Sequence, residues 1–468
     1  MRITILTFLV AFSLQVMGQE KSLSEKIGKA TLEQVKSSMG IYEDEELLSF
    51  VMTVGKKLEA QMGDKKKYDF KYYLVDTEDP NAFATAGGYV FVTRGLLAII
   101  DTEDELAGVL GHEFSHVLLS HSEKKLARKI VPTLLELPGN IVGALFSETV
   151  GALLNAPIEL TSNTVGSAFD RGQENQADKA GLALAAKAGF DPEALSSALT
   201  KLEFYVTTLS GKKSSFSLFD DHPLTDKRLK SLSEELSVMP DFEGTDESIL
   251  PDLDGLVVGQ NPRNGVVTSD NNFLHPDMNF AMQLPTEWRT KNTPESLTAV
   301  DQKTGAALVL GFDGKHETPK AAYKDYVKEL KGKKGLMLTV DKKKDVNGFE
   351  AVELFVESGK DKIVITWIKF GEMEGVLQLM GTASKEAQMD SVLASINSFN
   401  TITDSERGQV VTTRLRYEAA PDMTVSEYAV QKDLTDHLVL LEVINSTTKD
   451  ERVKGEFIKF VEEEPYKP

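Results

Sequence analysis

Apolar residues recur at helical spacing from the start of the ordered pattern, with Leu32, Val35 and Met39 falling on one face of a helix between about residues 22 and 61. Tyr42 to Glu45 interrupts the pattern and Leu47 to Leu58 resumes it. Tyr68 to Val75 then alternates with period two, and Tyr89 to Thr93 reads as a second strand entered through Gly87-Gly88. A strong helix is predicted from Thr102 to about Lys125. Thr102 and Glu105 have capping-box spacing, and Glu103 and Asp104 suit the positive end of the helix dipole. Ile130 to Val165 is apolar and rich in Gly, Pro and Ala, which reads as a pair of helices lying over the site or as a membrane-facing hairpin, with core packing favoured. No uninterrupted apolar run there reaches the roughly 18 residues of a membrane span. A further helix is predicted from around Ala168 to Gly189. Asp191-Pro192 starts the next, and His222 to Leu236 closes the helical part.

From Met239 to Asp270 the chain is irregular and rich in Pro, Gly and Asp, the mark of a linker. Beyond it the period changes. Strand-like runs occupy Phe280–Leu284, Ala307–Phe312, Leu336–Val340, Ala351–Glu357, Ile363–Phe370 and Val376–Met380, and helices are predicted over Pro319–Lys331 and Lys385–Ile396. The fold class is therefore α+β. A mainly helical domain (19–238) with a small sheet is followed by a linker (239–270), an α+β domain (271–402) and a small module (408–468).

Composition narrows the setting. The 468 residues carry a formal net charge of −20, which disfavours nucleic acid, because phosphate binding needs a clustered basic face. Arg2 followed by the apolar stretch Ile3 to Val16, with Gly18 and Gln19 after it, reads as a secretory signal over residues 1–18. There is no cysteine, so neither a disulfide nor a lipidated cysteine anchor is available. The expected location is a bacterial periplasm or the exterior, after cleavage near Gly18-Gln19.

The chemistry concentrates in His112-Glu113-Phe114-Ser115-His116. Residues i and i+4 share a helical face, so both imidazoles can reach one metal ion, and Glu113 beside them can receive a proton from a metal-bound water. The apolar residues Leu106, Val109, Leu110, Val117 and Leu118 predict a buried helix, which does not casually hold two histidines and a glutamate. A zinc site needs a third protein ligand. Leu119 and Ser122 occupy the positions where a longer histidine motif would carry Gly and His. His121 lies nine residues after His112, about 180° around a continuing helix, and is expected to point away from the metal. Glu174 is the better third ligand. Asp178, four residues on, is placed to accept a hydrogen bond from a ligating imidazole, His112. His222 stands open between stabilising an oxyanion, approaching the metal as an occluding ligand, and merely starting a helix. Arg228 stands open between orienting a carboxylate near the site and a surface salt bridge. Lys65–Lys67, Lys342–Lys344 and Glu462–Glu464 read as solvated charge runs, and His275, His316 and His437 have no evident partners.

HEFSHVLLSH, then FDRGQENQADKAG, then HPLTDKRL resembles the zincins of metallopeptidase family forty-eight, the CAAX-type and HtpX-like proteases, in their soluble BepA-like periplasmic branch. The resemblance covers roughly residues 25 to 236. It implies a gluzincin fold with one zinc ion on His112, His116 and Glu174, Glu113 as catalytic base, Asp178 behind a ligand and a regulatory His222. NAFATAGGYVFVTRGLL is similar to the family's edge-strand segment, which implies Asn81, Ala82, Phe83, Tyr89, Val90 and Phe91 as substrate-binding, with extended substrate pairing along Tyr89–Thr93. Ser120 stands where many relatives carry Arg. GLVVGQNPRNG resembles a segment that follows this domain in some bacterial relatives, where the appended domain resembles the PsbP and Mog-type fold. The tail is similar to a LysM module, which implies weak association with peptidoglycan. The expected activity is zinc-dependent hydrolysis of unfolded or damaged envelope polypeptides, with Glu113 and His222 in the catalytic step. The competing expectation is a latent or chaperone-like binding factor whose zinc site is occluded.

Overall fold

The computed structural model describes residues 24–121, 169–209, 222, 226–240, 242, 244–245, 247–330, 336–358 and 361–467. The signal segment 1–18 and the apolar stretch 130–165 lie outside the described residues. Contacts group the chain into two units. One is built from residues up to 136, 165–259 and Thr413–Glu462, the other chiefly from Gln260–Thr412.

The first unit begins with α1 (residues 24–38) and α2 (Glu45–Ala60), the latter capped by Asp44, whose side chain accepts the N–H of Leu47 at 2.9 Å. A three-stranded sheet follows: β1 (Lys71–Val75), β2 (Ala82–Thr85) and β3 (Tyr89–Thr93), in the order β1-β3-β2. β3 runs parallel to β1 and antiparallel to β2, so it is the central strand. Its side chains alternate as a pleated strand requires. Tyr89 and Phe91 join Phe83 and Val75 in a cluster with Leu32 and Val35 of α1, while Val90 and Val92 face the main core.

After α3 (Arg94–Ile99), α4 (Glu103–Leu118) crosses the other face of the sheet and is buried through almost its whole length. Thr102 caps it by accepting the N–H of Glu105 at 3.2 Å, a contact worth about 1 kcal/mol. The helix stops seven residues short of the expected Lys125. Ser120 takes φ 58°, which turns the backbone out of the helix. α5 (Arg171–Ala188), α6 (Ala194–Thr208) and α7 (Asp226–Leu236) complete the helical layer. α5 carries a full capping box between Asp170 and Gln173 and ends at Gly189, whose φ of 91° suits glycine.

Two stretches pack differently from their sequence character. Part of the expected linker lies in the main core, where Ile249, Leu253, Leu256 and Val258 are buried, and the backbone of Glu247 accepts the N–H of Glu103. The expected tail module contributes Leu415, Val425, Leu441, Ile444 and Val461 to that same core. Its Lys459 is buried. Nζ donates to the carbonyls of Ala98 at 2.9 Å and Ile100 at 3.3 Å and pairs with Asp101 at 2.8 Å, next to the cap of α4.

The second unit contains a four-stranded sheet, which includes Phe280–Gln283, and a seven-stranded antiparallel sheet. The strands of the latter, in spatial order, are Leu336–Val346, Phe349–Ser358, Asp361–Ile368, Val376–Ala383, Ala307–Asp313, Ser296–Val300 and Arg289–Asn292. Ile363, Ile365 and Trp367 pack with helix Pro319–Leu330, whereas Val364 and Ile368 share a core with helix Glu386–Ser398. The six expected strands and both helices are present. Asn272–His275, Arg289–Asn292 and Ser296–Val300 are additional.

Candidate metal centre

α4 supplies His112, Glu113 and His116, and α5 supplies Glu174 and Asp178, all buried. The two helices meet through glycine. A Cβ on Gly181 would lie 2.9 Å from the backbone nitrogen of His112, and one on Gly111 would lie 3.2 Å from the carbonyl oxygen of Gly181. This approach lets short carboxylate side chains on α5 span to imidazoles on α4.

His112 Nε2 lies 3.1 Å from His116 Nε2 and 3.2 Å from His222 Nδ1. Glu174 Oε1 lies 3.0 Å from His222 Nδ1 and 3.4 Å from His116 Nε2. All four donor atoms fall within 4.8 Å of one another. Ligand atoms about 2.05 Å from a tetrahedral zinc ion are spaced about 3.3 Å apart. The observed separations match that edge length, and three facing imidazole nitrogens cannot all be satisfied by hydrogen bonds among themselves. The residues therefore fit zinc, with His222 in the fourth corner.

The surroundings hold these groups in the required charge states. Burial pushes the His116 imidazole well below its ordinary range, with the Glu174 hydrogen bond opposing, so it stays neutral and keeps a lone pair. Burial would raise Glu174, but His222 and His116 outweigh it and hold the carboxyl well below the usual range. At Asp178 burial is likewise outweighed, by hydrogen bonds from His112 and Arg228 that bring the carboxyl down to about 2. Asp178 Oδ1 is 2.9 Å from His112 Nδ1. Arg228 is buried and bidentate on Asp178 at 2.9 and 2.7 Å, with Nη1 3.0 Å from Glu174 and 3.2 Å from the His222 carbonyl. The surface salt bridge left open for Arg228 is thus not what it forms.

Glu113 is aimed at the same centre. Its Oε1 is buried with no hydrogen bond among the described residues, 3.4 Å from His222 Nε2, and its Oε2 accepts the N–H of Ala84 at 3.2 Å. Burial raises its carboxyl above the ordinary range, partly offset by His222 and His112. That upward shift eases proton uptake by the carboxylate.

Two expectations are corrected. Tyr89–Thr93 cannot accept an added strand, because β1 and β2 fill both its edges. The edge strands among the described residues are β1, whose outer side meets Ile41 at Val75, and β2, and the Phe83, Tyr89 and Phe91 side chains pack toward α1 instead. His121 does not point away. It is 1% exposed with Nδ1 3.1 Å from His116 Nδ1, because the turn at Ser120 voids the 180° extrapolation. Phe169, which sequence reasoning did not single out, packs against His116 with ring centroids 4.0 Å apart and planes tilted by 31°. No local pattern marks it.

Residues 49–236 match the family model described as Peptidase family M48. The beta-barrel assembly-enhancing protease of Yersinia pestis is 31% identical over 207 residues, 43% of this chain and 42% of that protein. The metalloprotease LoiP of Escherichia coli is 28% identical over 222 residues, 47% of this chain and 79% of that protein. The protease HtpX homolog of Aquifex aeolicus is 32% identical over 204 residues, 35% of this chain and 65% of that protein. The chain spans about two-fifths of the length of the beta-barrel assembly-enhancing proteases it matches.

Proposed function

From the match of residues 49–236 to the Peptidase family M48 model, we propose that the chain is a zinc metalloendopeptidase acting on unfolded or damaged envelope polypeptides. The observation that carries the reading is the convergence of His112, His116 and Glu174 beside the buried carboxylate of Glu113. Zinc held by those three residues supplies a Lewis acid and an activated water. Glu113 takes the proton from the attacking water and returns it to the leaving amine. Asp178 and Arg228 hold His112 and Glu174 in place. Extended substrate pairs with the open edge of β2, whose register to Glu113 is set by the Ala84 contact. Asn81, at the head of that strand, keeps a buried Nδ2 without a hydrogen-bond partner among the described residues, a donor for substrate. Edge pairing requires extended chain, so unfolded protein is the preferred substrate. An envelope setting rests on the signal-like N-terminus and on the name of the beta-barrel assembly-enhancing relatives.

A second reading has its own observation. His222 Nδ1 occupies the fourth donor corner, where water must enter, and its ring also approaches Glu113. In this reading the described conformation is latent, and displacement of His222 opens the site. Casein cleavage and bound zinc are measured together for wild type, Glu113→Gln and His222→Ala. One zinc per chain with cleavage lost in Glu113→Gln supports the protease. Cleavage that appears only in His222→Ala supports latency. No zinc in any variant would overturn both readings.

A further inference from the structure

Two ligand histidines on one helix need different supports, and only one of these is a carboxylate. His112 Nδ1 faces Asp178 at 2.9 Å. His116 Nδ1 faces another imidazole, His121 Nδ1, at 3.1 Å, and His121 Nε2 lies 3.4 Å from Gln176 Oε1. Gln176 sits on α5 between Glu174 and Asp178, so this chain of contacts returns to the helix that bears the carboxylate donor.

The proton count along the chain is determined. His116 Nε2 faces the donor cluster and must offer a lone pair there, so its single proton sits on Nδ1. That proton is donated to His121 Nδ1, which must be unprotonated to accept it. His121 then carries its own proton on Nε2, directed at the Gln176 carbonyl oxygen. We propose that His121 is the positioning residue for His116, fixing its tautomer and ring orientation through a neutral imidazole-to-amide relay. The turn at Ser120 makes this possible by bringing His121 back beneath the helix end. The relay adds no charge, whereas Asp178 brings one that Arg228 must balance. The helix can therefore hold its second imidazole without another buried ion pair.

The inference rests on the reading of His116 as a zinc ligand, and the test separates the two. Zinc affinity is measured by chelator competition on the full chain for wild type, His116→Ala, His121→Leu and His121→Asn. The visible spectra of the cobalt-substituted forms and the unfolding temperatures of the metal-free forms are recorded alongside. Asn keeps an acceptor oxygen near the position of Nδ1, and Leu does not. The relay predicts an affinity loss of about 10- to 100-fold in His121→Leu with an altered cobalt spectrum, and recovery to within about threefold in His121→Asn. Equal affinities and spectra in wild type and His121→Leu would overturn the proposal. So would Leu and Asn variants equally weakened and equally destabilised without metal, which is the signature of a packing role. Zinc retained in full by His116→Ala would instead remove the ligand reading on which the proposal stands.

Discussion

Histidine meets carboxylate in both units, and the two arrangements differ in what the nitrogens converge on. In the sheet unit His316 lies between two aspartates, Nδ1 2.7 Å from Asp313 and Nε2 3.3 Å from Asp325. The partners take opposite ring nitrogens, so no point in space sees more than one of them together with the ring, and Lys315 neutralises Asp325 further. In the helical unit one nitrogen from each of three rings and one carboxylate oxygen face a common centre, and the remaining nitrogens of His112 and His116 point outward to supports. Both clusters pair imidazole with carboxylate. Direction separates a metal centre from a charge-neutralising link, because an ion needs lone pairs that meet.

That contrast can be broken most forcefully by ligand removal. His116→Ala is expected to lower zinc affinity by more than about a hundredfold, beyond the range of supporting-residue changes, and to abolish casein cleavage. His316→Ala should leave both untouched, and a zinc loss there would erase the distinction. Glu113→Gln comes next. It keeps the metal but should cut hydrolysis by about 10²- to 10⁴-fold in steady-state assays. Arg228→Met strands Asp178 and Glu174 in the interior, and chemical denaturation should register a loss of about 3–5 kcal/mol.

A smaller effect concerns His275 of the sheet unit, which lacks flanking acids in hydrogen-bond contact. Burial brings its imidazole down to about 4, with Asp277 opposing, and its Nδ1 accepts the N–H of Met278. The unfolded chain takes up this proton first. The stability is therefore complete above about pH 6.5 and is lost as pH falls toward 4, by up to about 3 kcal/mol. Denaturation of His275→Phe across that window should show a flatter profile than wild type. The smallest change is Thr102→Ala, which removes the α4 cap at a cost of about 1 kcal/mol in thermal unfolding.

Legibility in the sequence followed distance along the chain. The i and i+4 spacing of His112 and His116 is a local fact of helical geometry, as is the cap at Thr102, whereas the cap at Asp170 went unread. The alternating runs of the sheet unit were legible for the same reason. Ser120 gave no warning of a helix end, since neither Gly nor Pro marks it, and His121 was misplaced as a result. β2 is four residues long and contains two alanines, too little pattern to announce a strand, and without it Tyr89–Thr93 looked like an edge. Leu256 and Val258 sit in a stretch whose turn-rich neighbours suggest linker, Leu415 in one that reads as a separate module, and only tertiary contact reveals that they are core.

Lys459 carries a consequence in time rather than in space. It fills the carbonyls that end α3 and neutralises Asp101 beside the start of the motif helix, yet some 340 residues separate it from that helix in order of synthesis. A nascent chain that has delivered both histidines still lacks the cation and the apolar residues of Thr413–Glu462 that complete their core. A hydrolytic site is thereby left without part of its support until residues 413–462 have been synthesised.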